Sequence, residues 1–197
     1  MARIIRNPKS PVIIRPFELA DCDAFLTAVA RSRTLHRPWV NPPANRAAFR
    51  RHVKRHNSDP HRGFVVVEHA SGELAGVINL GHIIRGPLQS AFVGYYAFAG
   101  FERRGLMSEG LKQVLAHAFA ELKLHRIEAN IQPKNRASRN LVRSLGFVRE
   151  GFSSRYLKIR GRWRDHERWA LLAEDWRNKK LEKAVRTKRR TAAVPSR

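Results

Sequence analysis

"SAFVGYYAFAGFERRGLMSEGLKQVLAHAFAELKLHRIEANIQ", residues 90–132, runs from an aromatic β-type stretch through a turn into a helical pattern, then out into a second β-type stretch. Met107, Leu111, Val114, Leu115, Ala118, Phe119 and Leu122 recur at helical spacing and build one apolar face. Ser90–Ala99 before it and "HRIEANIQ" after it read as strands. The junction Glu102-Arg103-Arg104-Gly105-Leu106-Met107 holds two arginines and a glycine where a simple cap would serve. Backbone amides bared by glycine at the positive end of a long helix, flanked by cationic side chains, suit a bound phosphate.

Working outward, Val12–Arg15 reads as a first strand and Ala20–Arg31 as a helix behind Pro16. "RSRTLHRPWVNPP" holds too much proline and asparagine for a regular element and reads as a loop. Arg46–His56 is a basic helix candidate; Gly63–His69 and Glu73–Ile84 read as a hairpin around Ala70-Ser71-Gly72. "NRASRNLVRSLG" reads as a short helix opened near Asn135 and closed by Gly146. The stretch from Phe147 to Trp176 reads as two or three antiparallel strands with "IRGRW" near a turn. A strand–helix–strand–helix centre flanked by antiparallel hairpins defines an α+β fold with a mixed sheet.

The 197 residues suffice for one medium domain with a sizeable core. No apolar run approaches the roughly 20 residues that span a bilayer. The N-terminal stretch lacks an apolar segment of signal-peptide length, and Cys22 is the only cysteine, which excludes an internal disulfide and a cysteine-based metal cluster. The expectation is a cytoplasmic protein without a membrane span or a metal. Its net charge of +23 implies salt-sensitive attraction to polyanions. Residues 177–197 hold nine Lys/Arg against Glu182 alone, yet the body remains strongly basic without them. The expected division is a catalytic domain over residues 1–176 and a basic tail over 177–197, partly helical or disordered.

"GLMSEGL", "HRIEAN", "PKNRAS", "LGFVREG" and "GRWRDHERWALL", in this order, resemble the GNAT superfamily of acetyl-CoA-dependent N-acetyltransferases. Within it they resemble the RimJ/RimL-type ribosomal-protein-alanine N-acetyltransferases, closest to the RimJ branch. The resemblance covers roughly Val12 to Trp176. It implies a mostly antiparallel mixed sheet of six or seven strands with a splayed central pair. It also implies acetyl-CoA as co-substrate, with the coenzyme pyrophosphate over the turn of Arg103, Arg104, Gly105, Leu106, Met107 and Ser108. Glu102 departs from the commoner family pattern and puts a carboxylate near that anion. By the same resemblance Tyr96, Ala97 and Phe98 face the pantetheine arm and polarise the acetyl carbonyl, and Asn135 hydrogen-bonds the arm. Many members place a tyrosine at Val142 as the acid for the departing thiolate; valine has no proton to give, so the role passes to Ser138. Glu128, acting through a water held by Asn130, is the first choice of base, and Glu109 the second. β-Alternation puts Glu128 and Asn130 on one face.

The leading expectation is acetyl transfer to the N-terminal α-amine of a ribosomal protein, an alanine, by direct attack in a ternary complex. Basic surface and tail imply contact with ribosomal RNA. Two alternatives stand beside it: a small-amine acetyltransferase acting on an antibiotic or polyamine, and a ribosome- or RNA-binding protein that keeps the fold without turnover. "RTLHRPWVN" and "RYLKIRGRWR" lie where the family lines its acceptor groove.

Overall fold

The computed structural model describes residues 5, 10–37 and 39–178, so the basic tail from Lys179 onward lies outside the described residues. Seven strands form one sheet in the order β1-β2-β3-β4-β5-β7-β6: β1 (Val12–Pro16), β2 (Arg62–Glu68), β3 (Leu74–Ile84), β4 (Ser90–Ala97), β5 (Arg126–Ile131), β6 (Val148–Ile159) and β7 (Arg162–Leu172). Every neighbouring pair is antiparallel except β4 and β5. Those two pair only from Ser90↔Arg126 to Phe92↔Glu128 and then part, leaving a fork between Val93–Ala97 and Ala129–Ile131.

The helices cover both faces. On one side α4 (Leu106–Ala120) buries Leu111, Val114, Leu115 and Ala118 completely. Gly110 lets it lie against Ile14, Val66 and Ile78, whose tips leave 3.1–3.3 Å to a hypothetical Cβ. α5 (Arg136–Leu145) shares this side. It starts at Asn135, whose side chain accepts from the Ser138 amide, and ends at Gly146 with φ 102°, a left-handed stop. On the other side α1 (Cys22–Arg31) and α3 (Arg46–His56) pack through Phe25 and Phe49, with Phe17 and Phe98 edge-on to Phe25.

One expectation needs adjustment. Residues Arg33–His36 form a helical turn, α2, inside the expected loop. Ser32 is buried at its start, donating to the Ala28 carbonyl at 2.6 Å and accepting the Ala99 amide at 2.8 Å, which fixes the turn against the end of β4. The C-terminal stretch makes two strands, β6 and β7, turning at Arg160-Gly161, both left-handed at φ 49° and 78°. A final helical segment spans 173–178, across the expected domain boundary, with the Trp176 ring 6.3 Å from Phe119. Among the described residues no helix is long and apolar enough to cross a membrane.

Candidate active site

The fork is the place where the sheet stops satisfying its own backbone. Phe98 donates its amide to the Ala75 carbonyl. By alternation the amides of Ala97 and Tyr95 then point away from β3, toward the fork. Of the three residues expected along the pantetheine arm, Phe98 is therefore committed to the sheet and core, while Ala97 presents a free amide. The Ala97 carbonyl accepts from His36 Nε2 at 2.7 Å.

The pairing register sorts side chains between the faces. Ile78 pairs with Tyr95, so Tyr95 lies on the α4–α5 side. There its hydroxyl accepts from Ser138 Oγ at 2.7 Å and donates to the Ser138 carbonyl at 3.2 Å. Burial pushes the Tyr95 phenol up, so it stays protonated. Val142, which has no proton to give, is fully buried in the core. Phe92, Gly94 and Tyr96 share the opposite face with Glu128 and Asn130.

That opposite face holds an unusual set of atoms. A Cβ on Gly94 would meet nothing within 4 Å, so the strand has an open floor beside the fork. Around it, Asn79 Oδ1 on the strand next door, Asn130 Oδ1 across the fork, Tyr96 Oη and His36 Nδ1 are all buried and lack a protein hydrogen-bond partner. The Ala97 carbonyl only accepts, so His36 Nε2 carries the hydrogen and Nδ1 keeps a free lone pair. Burial pushes the His36 pKa down, so the ring is neutral near pH 7. The set is weighted toward acceptors, and four of the unpartnered buried polar atoms among the described residues gather around this floor, which makes it the candidate ligand site.

Glu128 sits one step back, where β4 and β5 still pair, and its Oε1 accepts from Arg126 Nε at 2.8 Å. The same arginine donates to Glu150 Oε1 at 3.0 Å and holds the Glu150 carboxyl below its ordinary pKa. Glu109, the second candidate, pairs with Lys112 on α4 at 3.3 Å.

The turn before α4 has the geometry of an anion cradle. Arg103 and Gly105 are left-handed at φ 59° and 78°, and a Cβ on Gly105 would meet nothing within 4 Å. The amides of Leu106, Met107 and Ser108 lie in the first turn, where an α-helix offers no carbonyl four residues back. The two arginines differ. Arg104 is tied to the buried Glu68 and lies 5.5 Å over the Phe101 ring, whereas Arg103 has no described partner. The Glu102 carboxylate, the worrying departure, turns back and accepts the Gly100 amide at 2.7 Å. Leu106 is core, and Met107 packs against Gly76.

Sequence reasoning missed Asn79, Tyr95 and His36. Asn79 had a signal, as the one amide in the apolar run "LAGVINLG". His36 had only the family resemblance of its stretch, "RTLHRPWVN", to the lining of an acceptor groove, within what read as a loop. Among the described residues no group of three or more His, Cys, Asp or Glu side chains is placed to hold a metal.

A forked sheet with an amide cradle on one side and an acceptor-lined floor on the other is built to bring an activated acyl group to an amine. Comparison with known proteins agrees. The acetyltransferase (GNAT) domain family matches residues 12–148. A probable N-acetyltransferase of Bacillus subtilis, YjcK, is 31% identical over 83% of this chain and 95% of its own. The ribosomal protein uS5-alanine N-acetyltransferase of Escherichia coli is 38% identical over 53% of this chain and 54% of its own. Among solved structures, Mycobacterium smegmatis RimJ in complex with CoA-disulfide superposes with a TM-score of 0.77 at 28% identity, covering 88% of this chain and 86% of that one. The chain belongs to the GNAT acetyltransferase family and is an acetyl-CoA-dependent N-acetyltransferase.

Proposed function

We propose that this enzyme acetylates the N-terminal α-amine of a ribosomal protein, with alanine first in the acceptor. The observation that carries the chemistry is the open floor at Gly94 ringed by the unpartnered acceptors of Asn79, Asn130 and His36 and the hydroxyl of Tyr96. An amine brings N–H donors and matches that set. A small N-terminal side chain fits over a glycine. The similarity to the Escherichia coli uS5-alanine enzyme supports a ribosomal acceptor.

The roles follow from the two faces. The cradle of Arg103, Gly105, Leu106, Met107 and Ser108 holds the coenzyme pyrophosphate, with Arg104 supporting through Glu68, and Asn135 marks where the arm passes α5. The Ala97 amide, pointing into the fork between Tyr96 and Phe98, donates to the acetyl oxygen as negative charge builds there. The amine nitrogen attacks the acetyl carbon on the Gly94 side, its N–C bond forming as the C–S bond breaks. One amine proton leaves through a water held by Asn130 toward Glu128. The thiolate takes the hydroxyl proton of Ser138, which turns it away from Tyr95 Oη and regains one from solvent as the products leave. An α-amine with a pKa of roughly 7.7–8 is already partly neutral at cellular pH, so the base contributes modestly. Positioning contributes more. The basic surface and tail keep the enzyme beside ribosomal RNA.

A competition assay tests this reading: an alanine-start peptide, the same peptide with a blocked N-terminus and an internal lysine, and spermidine. The alanine-start peptide is expected to be the preferred acceptor. Faster turnover of spermidine would move the function to the small-amine class. No turnover of any acceptor would leave only a binding role.

A further inference from the structure

We propose that the overhanging end of the β6–β7 hairpin is a contact surface for single-stranded RNA, with Trp163 as its base-stacking platform. β7 leaves the sheet at its last pair with β5, Ile131↔Glu167. From Ser153↔His166 to Ile159↔Arg162 the two strands therefore continue as a two-stranded ribbon without a third strand, and Arg160 at its tip is near enough to His36 to help lower that ring's pKa. Such a ribbon is marginal by itself, and its composition makes it more so. Arg155, Lys158, Arg160, Arg162 and Arg164 are all exposed, and none has an ion-pair partner among the described residues. The one acid in the ribbon, Asp165, is spent on the Arg155 amide at 2.7 Å. Like charges this close cost stability that a bound polyanion offsets.

The aromatic content points to a nucleic acid in particular. Trp163 is 59% exposed, the most exposed aromatic side chain among the described residues, and it stands directly across the ribbon from Lys158. Tyr156, 37% exposed, lies in the bulge of the ribbon, its ring 6.2 Å from that of His166. Leu157 and Ile159 face Arg164 and Arg162 on the other side. A flat exposed ring beside cations is the arrangement that stacks bases while neutralising phosphates. An acidic acceptor peptide would require positive charge only along the groove. Here it covers both sides of the ribbon and recurs on the exposed ridge of α3, where Arg50, Arg51, Lys54 and Arg55 lack described partners. A second copy of this chain would bring the same charges and be repelled.

This deepens the ribosomal reading, from which the choice of RNA over DNA is taken; the ribbon's chemistry does not depend on which amine is acetylated. The test uses the full chain and a fluorescein-labelled single-stranded RNA of mixed sequence, followed by anisotropy across a salt series. Arg160→Gln, Arg162→Gln and Arg164→Gln together should flatten the plot of log affinity against log salt by about 2, at roughly 0.7 per lost phosphate contact on a single strand. Trp163→Ala should weaken binding about tenfold with the slope unchanged, and Trp163→Phe should recover most of the loss. Thermal melts check that each variant folds. Unchanged affinity and slope in both the triple variant and Trp163→Ala would overturn the proposal by assigning all RNA binding to other basic segments. Displacement of the RNA by polyglutamate at equal charge would overturn it in favour of an acidic peptide. Neither readout involves acetyl transfer, so failure here is separable from failure of the acceptor assignment.

Discussion

Ser138 and Glu128 stand on opposite faces of the fork, and that separation sets what each substitution does. Ser138→Ala removes the hydroxyl next to Tyr95 without touching the amide cradle. It should lower kcat by about a hundredfold, the lower end for a general acid, and leave coenzyme affinity within twofold. Equal losses in both would place Ser138 in binding rather than proton transfer. Glu128→Gln should cost only about tenfold, because the acceptor amine is partly neutral already. Asn79 gives a test with two signs. Its Oδ1 is buried and unpartnered, so Asn79→Leu should stabilise the fold by about 1 kcal/mol, relieving an unmet polar group. The same change should raise the KM for the acceptor amine severalfold. Urea unfolding and acceptor titration read the two effects separately; a destabilised variant with unchanged KM would remove Asn79 from the site.

At the scale of elements, the turn into α4 was legible because the glycine and the bared amides of a helix start are written locally. Gly105→Asp adds a carboxylate where the amides converge. It should abolish the thermal shift that acetyl-CoA gives the wild type by mass action. Equal shifts in the two proteins would move the coenzyme elsewhere. The strands and long helices were equally legible, since alternation and 3.6-residue periodicity are local signals. α2 was not, because Ser32 and His36 hold it through β4, partners more than 60 residues away. Tyr95 was hidden for a related reason: "YY" sends two rings to opposite faces, and only the register shows which one meets Ser138. α3 carries a pH prediction. Burial pushes His52 down to about 3, with its ring 4.8 Å from Phe17 and 4.0 Å from His56. The folded state keeps this imidazole neutral, so stability is unaffected above the unfolded pKa of roughly 6.5 and falls as the pH drops below it. At pH 5 this one group costs at most about 2 kcal/mol. His52→Phe should recover that difference between urea unfolding at pH 7.5 and pH 5.0; an identical pH loss in the variant would show that the ring protonates freely in the fold.

For the whole molecule, fold and charge say different things. The forked sheet commits the chain to acetyl transfer, and the family match covers β1 to β5, including the two strands that make the fork. The net charge of +23 bears on where the enzyme works rather than on how it transfers the group. The two are joined by the claim that the acceptor amine belongs to a ribosomal protein. Intact-mass measurement of all ribosomal proteins from cells with and without this gene tests it most directly. One protein with an N-terminal alanine is expected to become lighter by a single acetyl group when the gene is removed. A full set of unchanged ribosomal masses would contradict it.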